Sequence, residues 1–224
     1  MGSSRRRRPH LAAVGLLLAL PLCAPARSAD LAAGAVLDRV ESWLAETRDL
    51  EGRFEQTLLS GALGSGPTES GRFYVLRPGR VRWDYLEPER KVALVDGGES
   101  RLWVEEDRQL WEWRLEERDG FLPSLLTSDA AVGELFEPAL LATPRSGGDG
   151  AYRLLLIPRA GGDTLEEVSV TVRPPKFAIE RIEVLDAAGN RTLYRFRDLR
   201  RNRGLPPATF HFEPPPGTEI MAQP

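Results

Sequence analysis

The chain is poor in the residues that carry most covalent and metal chemistry. Among 224 residues there are one cysteine and two histidines. The cysteine, Cys23, falls inside an N-terminal targeting segment, so the mature chain is expected to have no disulfide, no thiol nucleophile and no thiolate metal site. Beyond that segment the only histidine is His211, which alternates with Phe210 and Phe212 and reads as an exposed strand residue rather than a proton shuttle. Gly-x-Ser-x-Gly, His-Glu-x-x-His, phosphate-binding glycine loops and paired-cysteine motifs are missing. Scattered carboxylates on alternating strands read as solvated faces. An enzyme is therefore not expected, and neither is a cofactor or metal. The longest apolar run, Leu11 to Leu22, is interrupted by Pro21 and falls short of the roughly 20 residues that a membrane-spanning helix needs. No internal repeat is visible.

What the N-terminus does have is an export pattern. Arg5, Arg6, Arg7 and Arg8 precede that apolar run, and small residues follow from Ala24 to Ala29. Residues 1–28 read as a signal peptide cut after Ala26, Ser28 or Ala29, leaving residues 29–224 as one domain. A twin-arginine address is the other reading of the arginine run, but Arg8 and Pro9 stand where an apolar residue is expected. A lipid anchor on Cys23 is opposed by Leu22, where lipoprotein processing favours a small side chain. The expected product is a soluble periplasmic monomer. Removal of residues 1–28 takes five arginines and no acid, which leaves 25 basic and 33 acidic residues and a net charge of about −8. That balance argues against nucleic acid or an anionic membrane as the main partner.

From Asp30 to Thr47 apolar residues recur at three and four, the spacing of one helix face, with Asp30 as the expected N-cap. Alternating runs then predict strands at Leu50 to Leu58, Gly71 to Leu76, Val81 to Tyr85, Val92 to Val95, Leu102 to Val104 and Gln109 to Leu115. Turn-rich stretches such as Gly61 to Gly66 and Asp96-Gly97-Gly98 separate them. Phe121 to Thr127 and Asp129 to Phe136 are apolar and poor in β-branched residues, and predict one or two short helices. Strands resume at Tyr152 to Ile157, Glu166 to Val172, Ala178 to Leu185 and Thr192 to Leu199, with a short one at Thr209 to Phe212. The expected architecture is α+β, mainly β. One antiparallel sheet curls without closing and leaves a cleft beneath a few helices.

Strand alternation assigns faces. Phe73, Val75 and Arg77 share one face, as do Val81, Trp83 and Tyr85, and as do Trp111 and Trp113. The inner side is thus bulky and aromatic. An ordinary filled core would give the same pattern, and periodicity does not separate it from an apolar pocket. Arg77 is the exception on that face. It stands at the rim, where burial demands hydrogen-bond partners, or turns to solvent just before Pro78.

The stretch Ser70-Gly71-Arg72-Phe73-Tyr74-Val75-Leu76-Arg77-Pro78-Gly79-Arg80-Val81-Arg82-Trp83-Asp84-Tyr85 resembles the core signature of the outer-membrane lipoprotein carrier (LolA) family. Phe54-Glu55-Gln56, Leu94-Val95-Asp96-Gly97 leading to Leu102-Trp103, and Thr209-Phe210-His211-Phe212-Glu213-Pro214-Pro215-Pro216-Gly217 are similar to further family segments, in the same order. The resemblance covers essentially the whole mature chain. It implies an unclosed half-barrel with helices forming a lid over an apolar cavity lined by Phe54, Phe73, Val75, Val81, Trp83, Tyr85, Trp111 and Trp113. It also implies that Arg77 locks the lid through bonds to the helices. The implied partners are acylated lipoproteins, an inner-membrane lipoprotein-releasing ABC transporter and an outer-membrane lipoprotein receptor. The sequence departs from the family pattern at the extra glycine of Asp96-Gly97-Gly98-Glu99 and in the lid stretch Phe121 to Phe136, similar only in apolar character. The same resemblance admits a lipid-sensing or regulatory periplasmic protein of this fold.

Overall fold

A computed structural model of the chain describes residues 30–60, 64–114, 125–126, 131–159 and 165–222. The expected signal segment lies outside these residues, as does most of the stretch expected to form the lid.

Twelve strands make one sheet. In chain order they are β1 (Asp49–Ser60), β2 (Gly64–Leu76), β3 (Arg80–Glu87), β4 (Lys91–Asp96), β5 (Glu99–Val104), β6 (Gln109–Arg114), β7 (Phe136–Ala142), β8 (Tyr152–Pro158), β9 (Leu165–Arg173), β10 (Ala178–Asp186), β11 (Arg191–Arg201) and β12 (Glu219–Ala222). They lie in the order β12-β6-β5-β4-β3-β2-β1-β11-β10-β9-β8-β7. Two antiparallel meanders, β1 to β6 and β7 to β11, therefore join through the β1–β11 pair. The sheet is mainly β and open, with β12 and β7 as its edges.

Alternation along each strand sends one set of side chains to the core. In β9 the buried residues are Val168, Val170 and Val172, and in β8 they are Tyr152, Leu154 and Leu156. The helix α1 (Ala33–Ala45) buries Val36, Leu37, Val40, Trp43 and Leu44 against β7, β8 and β10. Its C-terminus is held by Arg201, whose guanidinium donates to Trp43 O at 3.2 Å and to Glu46 Oε2 at 3.1 Å, and lies 5.6 Å from the Trp43 ring centre. A cation there complements the helix dipole and satisfies a terminal carbonyl.

Several expectations need correction. Asp30 is not the N-cap: Ala32 holds that position without a side-chain cap, and Asp30 Oδ2 instead accepts a hydrogen bond from Thr143 Oγ1 at 2.8 Å. The second strand begins at Gly64, so Gly64 to Gly66, expected in a turn, lie within the sheet. Of the short helix expected over Asp129 to Phe136, the described residues show one turn, α2 (Val132–Leu135), and Phe136 instead opens a strand that the pattern did not reveal. Gly133 N donates to Glu41 Oε1 at 2.8 Å and ties that turn to α1. Thr209 to Phe212 is no strand either. Pro207–Phe210 is a 3₁₀ turn, and the last strand is β12, paired parallel to β6.

That C-terminal segment covers the outer face of the sheet. Leu94 and Leu110 alternate with the core-facing residues and would be exposed there, yet both are buried, along with Phe210. Trp103 packs on Phe212 with ring centres 5.5 Å apart, and Arg82 Nη1 donates to Thr209 O at 2.9 Å. A second, small apolar cluster thus fixes the chain end over β3 to β6.

Candidate functional site

The register across β1, β2 and β3 assembles the inner face in rows. Leu50 stands opposite Val75, and Val75 opposite Val81. Next, Gly52 lies opposite Phe73, and Phe73 opposite Trp83; then Phe54 opposite Gly71, and Gly71 opposite Tyr85. Each glycine therefore faces a phenylalanine on the neighbouring strand, and the rings lie over the gaps the glycines leave. A Cβ on Gly52 would come within 2.8 Å of Phe73 Cε1, and one on Gly71 within 3.0 Å of Phe54 Cε1. Aromatic cover of strand glycines is a recognised way to fill such gaps.

Trp83 is the hub of this layer. Its ring centre lies 4.7 Å from Phe54 in an edge contact, 5.3 Å from Phe73 in a stacked one, and 6.0 and 6.1 Å from Tyr194 and Phe196. These are the separations at which aromatic pairs attract beyond their burial. Five of the expected lining residues, Phe54, Phe73, Val75, Val81 and Trp83, are buried in one cluster, and Tyr85 packs against it. In the described residues they fill space against one another, with α1 adding Trp43 to the same cluster.

Trp111 and Trp113 share this face by register, since Trp83 opposes Ala93, Ala93 opposes Leu102, and Leu102 opposes Trp111. Both are half-buried and lie outside the cluster. Tyr194, Phe196 and Ile182 do belong to the site or border it, and the sequence reading missed them. Alternation in Thr192 to Leu199 carried the signal, because Tyr194 and Phe196 share one parity while Arg195 and Arg197 take the other.

Toward the β1–β2 hairpin the face turns polar. Tyr85 Oη donates to Gln56 Oε1 at 2.9 Å. The Lys91 ammonium pairs with Glu69 and sits 5.1 Å over the Tyr85 ring. Burial, and then the nearby Tyr194 and Glu69, push the Tyr85 phenol far above its ordinary range. Burial and then Glu69 push Tyr194 up to about 12. Both phenols stay protonated hydrogen-bond donors at neutral pH.

Arg77 follows β2 at the opposite end, half-buried, with Nη1 shielded from solvent. Its backbone N–H donates to Arg48 O at 2.9 Å. The helices it was expected to lock lie largely outside the described residues. A cavity of about 940 Å³ opens elsewhere, where β10 and β11 cease to pair beyond Arg181 and Arg195; its walls are mostly charged, Arg39, Lys176 and Glu180 among them, with Trp43, Phe196 and Leu199 as apolar members. Among the described residues no group of three or more His, Cys, Asp or Glu is placed to hold a metal ion.

The family model described as outer membrane lipoprotein carrier protein LolA matches residues 45–213. An outer-membrane lipoprotein carrier protein of Ralstonia nicotianae is 30% identical over 96% of this chain and 97% of its own. Another, from Methylococcus capsulatus, is 29% identical over 82% of this chain and 86% of its own. Among solved structures, an uncharacterized conserved protein from Thermus thermophilus shares the fold with a TM-score of 0.52, at 14% identity over 85% of this chain and 99% of that one. The aromatic inner face of an open antiparallel sheet and the matched sequence lead to one assignment: the chain belongs to the outer-membrane lipoprotein carrier (LolA) family.

Proposed function

We propose that this protein is a periplasmic carrier. It takes the acyl chains of lipoproteins released from the inner membrane by an ABC transporter, buries them against the inner face of the sheet, and delivers them to an outer-membrane receptor. The observation that carries this reading is the continuous apolar face running from β3 through β1 and β11 to β8, with an aromatic layer centred on Trp83. Exposure of an acyl chain to water costs roughly 0.8 kcal/mol per methylene, so a lipid anchor crosses an aqueous compartment only under cover. Packed aromatic and aliphatic side chains provide cover without a covalent or metal bond, which leaves release possible. Depletion of the protein should therefore leave outer-membrane lipoproteins in the inner-membrane fraction. A normal distribution after depletion overturns the proposal.

Arg77 is assigned the task of holding the lid closed. A charge-assisted hydrogen bond contributes roughly 1.5–3 kcal/mol, enough to bias an open–closed equilibrium without freezing it. Arg77→Leu should still load lipid, transfer it to receptor-bearing vesicles at least about tenfold more slowly, and change global stability by less than about 1 kcal/mol. Arg77→Lys should recover only part of the transfer rate, since an ammonium lacks the planar multi-donor fork. Loading and transfer by Arg77→Leu equal to wild type would remove Arg77 from the mechanism.

A further inference from the structure

The inner face changes character along its strands, and the change occurs over two adjacent rows. The Phe54 row continues through Gly71 and Tyr85 to Lys91, and in the row beyond it Tyr194 lies opposite Gln56 and Gln56 opposite Glu69. These five side chains are neither buried like the aromatics below them nor fully exposed. Glu69 and Lys91 are 20% and 19% exposed, and their pairing has to offset the loss of most of their hydration. An apolar pair here would simply extend the core. The ammonium is more than compensated, because Glu89 also stands 3.9 Å from it.

The donors are arranged differently from the charges. Tyr85 gives its proton to the Gln56 carbonyl, which leaves the Gln56 amide NH₂ to donate elsewhere. Among the described residues no hydrogen bond engages that NH₂ or the Tyr194 hydroxyl. Both phenols stay protonated, as argued above. These rows thus offer two neutral donors, the Gln56 NH₂ and the Tyr194 hydroxyl, beside the apolar cluster, and no uncompensated cation.

We propose that Gln56, Glu69, Tyr85, Lys91 and Tyr194 form a collar that receives the uncharged ester or amide linkage at which acyl chains leave their headgroup, and that discriminates against anionic amphiphiles. The proposal rests on reading the inner face as an acyl-chain site. A carbonyl oxygen needs donors and no counter-charge, which the Gln56 NH₂ and the Tyr194 hydroxyl supply. A carboxylate or phosphate brought to the same height meets Glu69 and Glu89 as well as Lys91, and loses hydration without gaining a free cation.

The test uses two probes with the same chain, monopalmitoylglycerol and palmitate, titrated into the full mature protein at pH 8 and read by native mass spectrometry and tryptophan fluorescence. Wild type should prefer monopalmitoylglycerol. Glu69→Gln removes the nearer of the two carboxylates from Lys91 and should shift the preference toward palmitate by about tenfold, the scale expected of one charge removed at a mostly buried site. Lys91→Gln should shift it the other way, and provides the test if Glu69→Gln does not fold. The double variant should return to within about threefold of wild type. An unchanged ratio in folded Glu69→Gln or Lys91→Gln overturns the collar while leaving the carrier reading intact. Failure of wild type to bind either probe overturns the carrier reading and the collar with it.

Discussion

Gly71→Ala is expected to lower the unfolding free energy by about 3 kcal/mol, and Gly71→Val to abolish folding. Replacing a strand glycine by alanine ordinarily stabilises, by roughly 0.5–1 kcal/mol, because glycine loses the most conformational freedom on folding. Here the sign reverses for lack of room. A Cβ at residue 71 would stand 1.9 Å from the backbone oxygen of Asp84 and 3.0 Å from Phe54 Cε1. The first obstacle is a neighbouring strand and cannot rotate away. Relief requires β2 and β3 to separate at the irregularity between Ser70 and Gly71, which would also lift Tyr85 and Phe54 from the aromatic layer. Gly34 in α1 is the control, since a Cβ there meets nothing within 4 Å. Gly34→Ala should stabilise by about 0.5–1 kcal/mol. Urea unfolding followed by tryptophan fluorescence compares the two; a loss under 1 kcal/mol for Gly71→Ala would show that the strands yield and that the close approach is not required.

The same glycine shows what was and was not legible in the sequence. Alternation placed Phe73, Val75, Val81 and Trp83 on one face, and the register across β2 and β3 puts them there. It also placed Trp111 and Trp113 on that face, but parity carries no information about depth, and these two lie beyond the buried cluster. Gly52 falls inside a predicted strand and Gly71 opens one, and nothing in the sequence marks either as a close approach. Only the cross-strand partner reveals that each is covered by a phenylalanine, and pairing is non-local.

The strand Phe136–Ala142 went unseen because Pro138 and the four alanine or leucine residues after it suggest anything but a strand. As the edge of the sheet it needs hydrogen bonds on one side only, so a proline is tolerated there. β12 has four residues and pairs parallel to β6, and so short a pattern is invisible without its partner. Leu94 and Leu110 stand on the outer face by register. What hides them is a chain segment about a hundred residues further on.

Trp83→Ala is the substitution that best separates a carrier from a protein whose aromatics merely fill its core. In either case removing the hub ring leaves Phe54, Phe73, Tyr194 and Phe196 facing a void, and truncation of a buried tryptophan costs about 3–5 kcal/mol. The two readings part when lipid is added. In the structure the rings lie against one another, so an acyl chain entering the wild-type face must first displace them, and part of its binding energy is consumed in doing so. In Trp83→Ala that space is already open and apolar, the kind of cavity that takes up apolar guests. Lipid should therefore restore more stability to the variant than it adds to wild type. A ligand at a hundred times its dissociation constant contributes about 2.7 kcal/mol, enough to recover more than half of the lost stability. Thermal unfolding with and without monopalmitoylglycerol measures both quantities. Trp83→Ala that is destabilised as expected, yet gains no more from lipid than wild type does, would mean that acyl chains bind elsewhere and that the Trp83 layer is core alone.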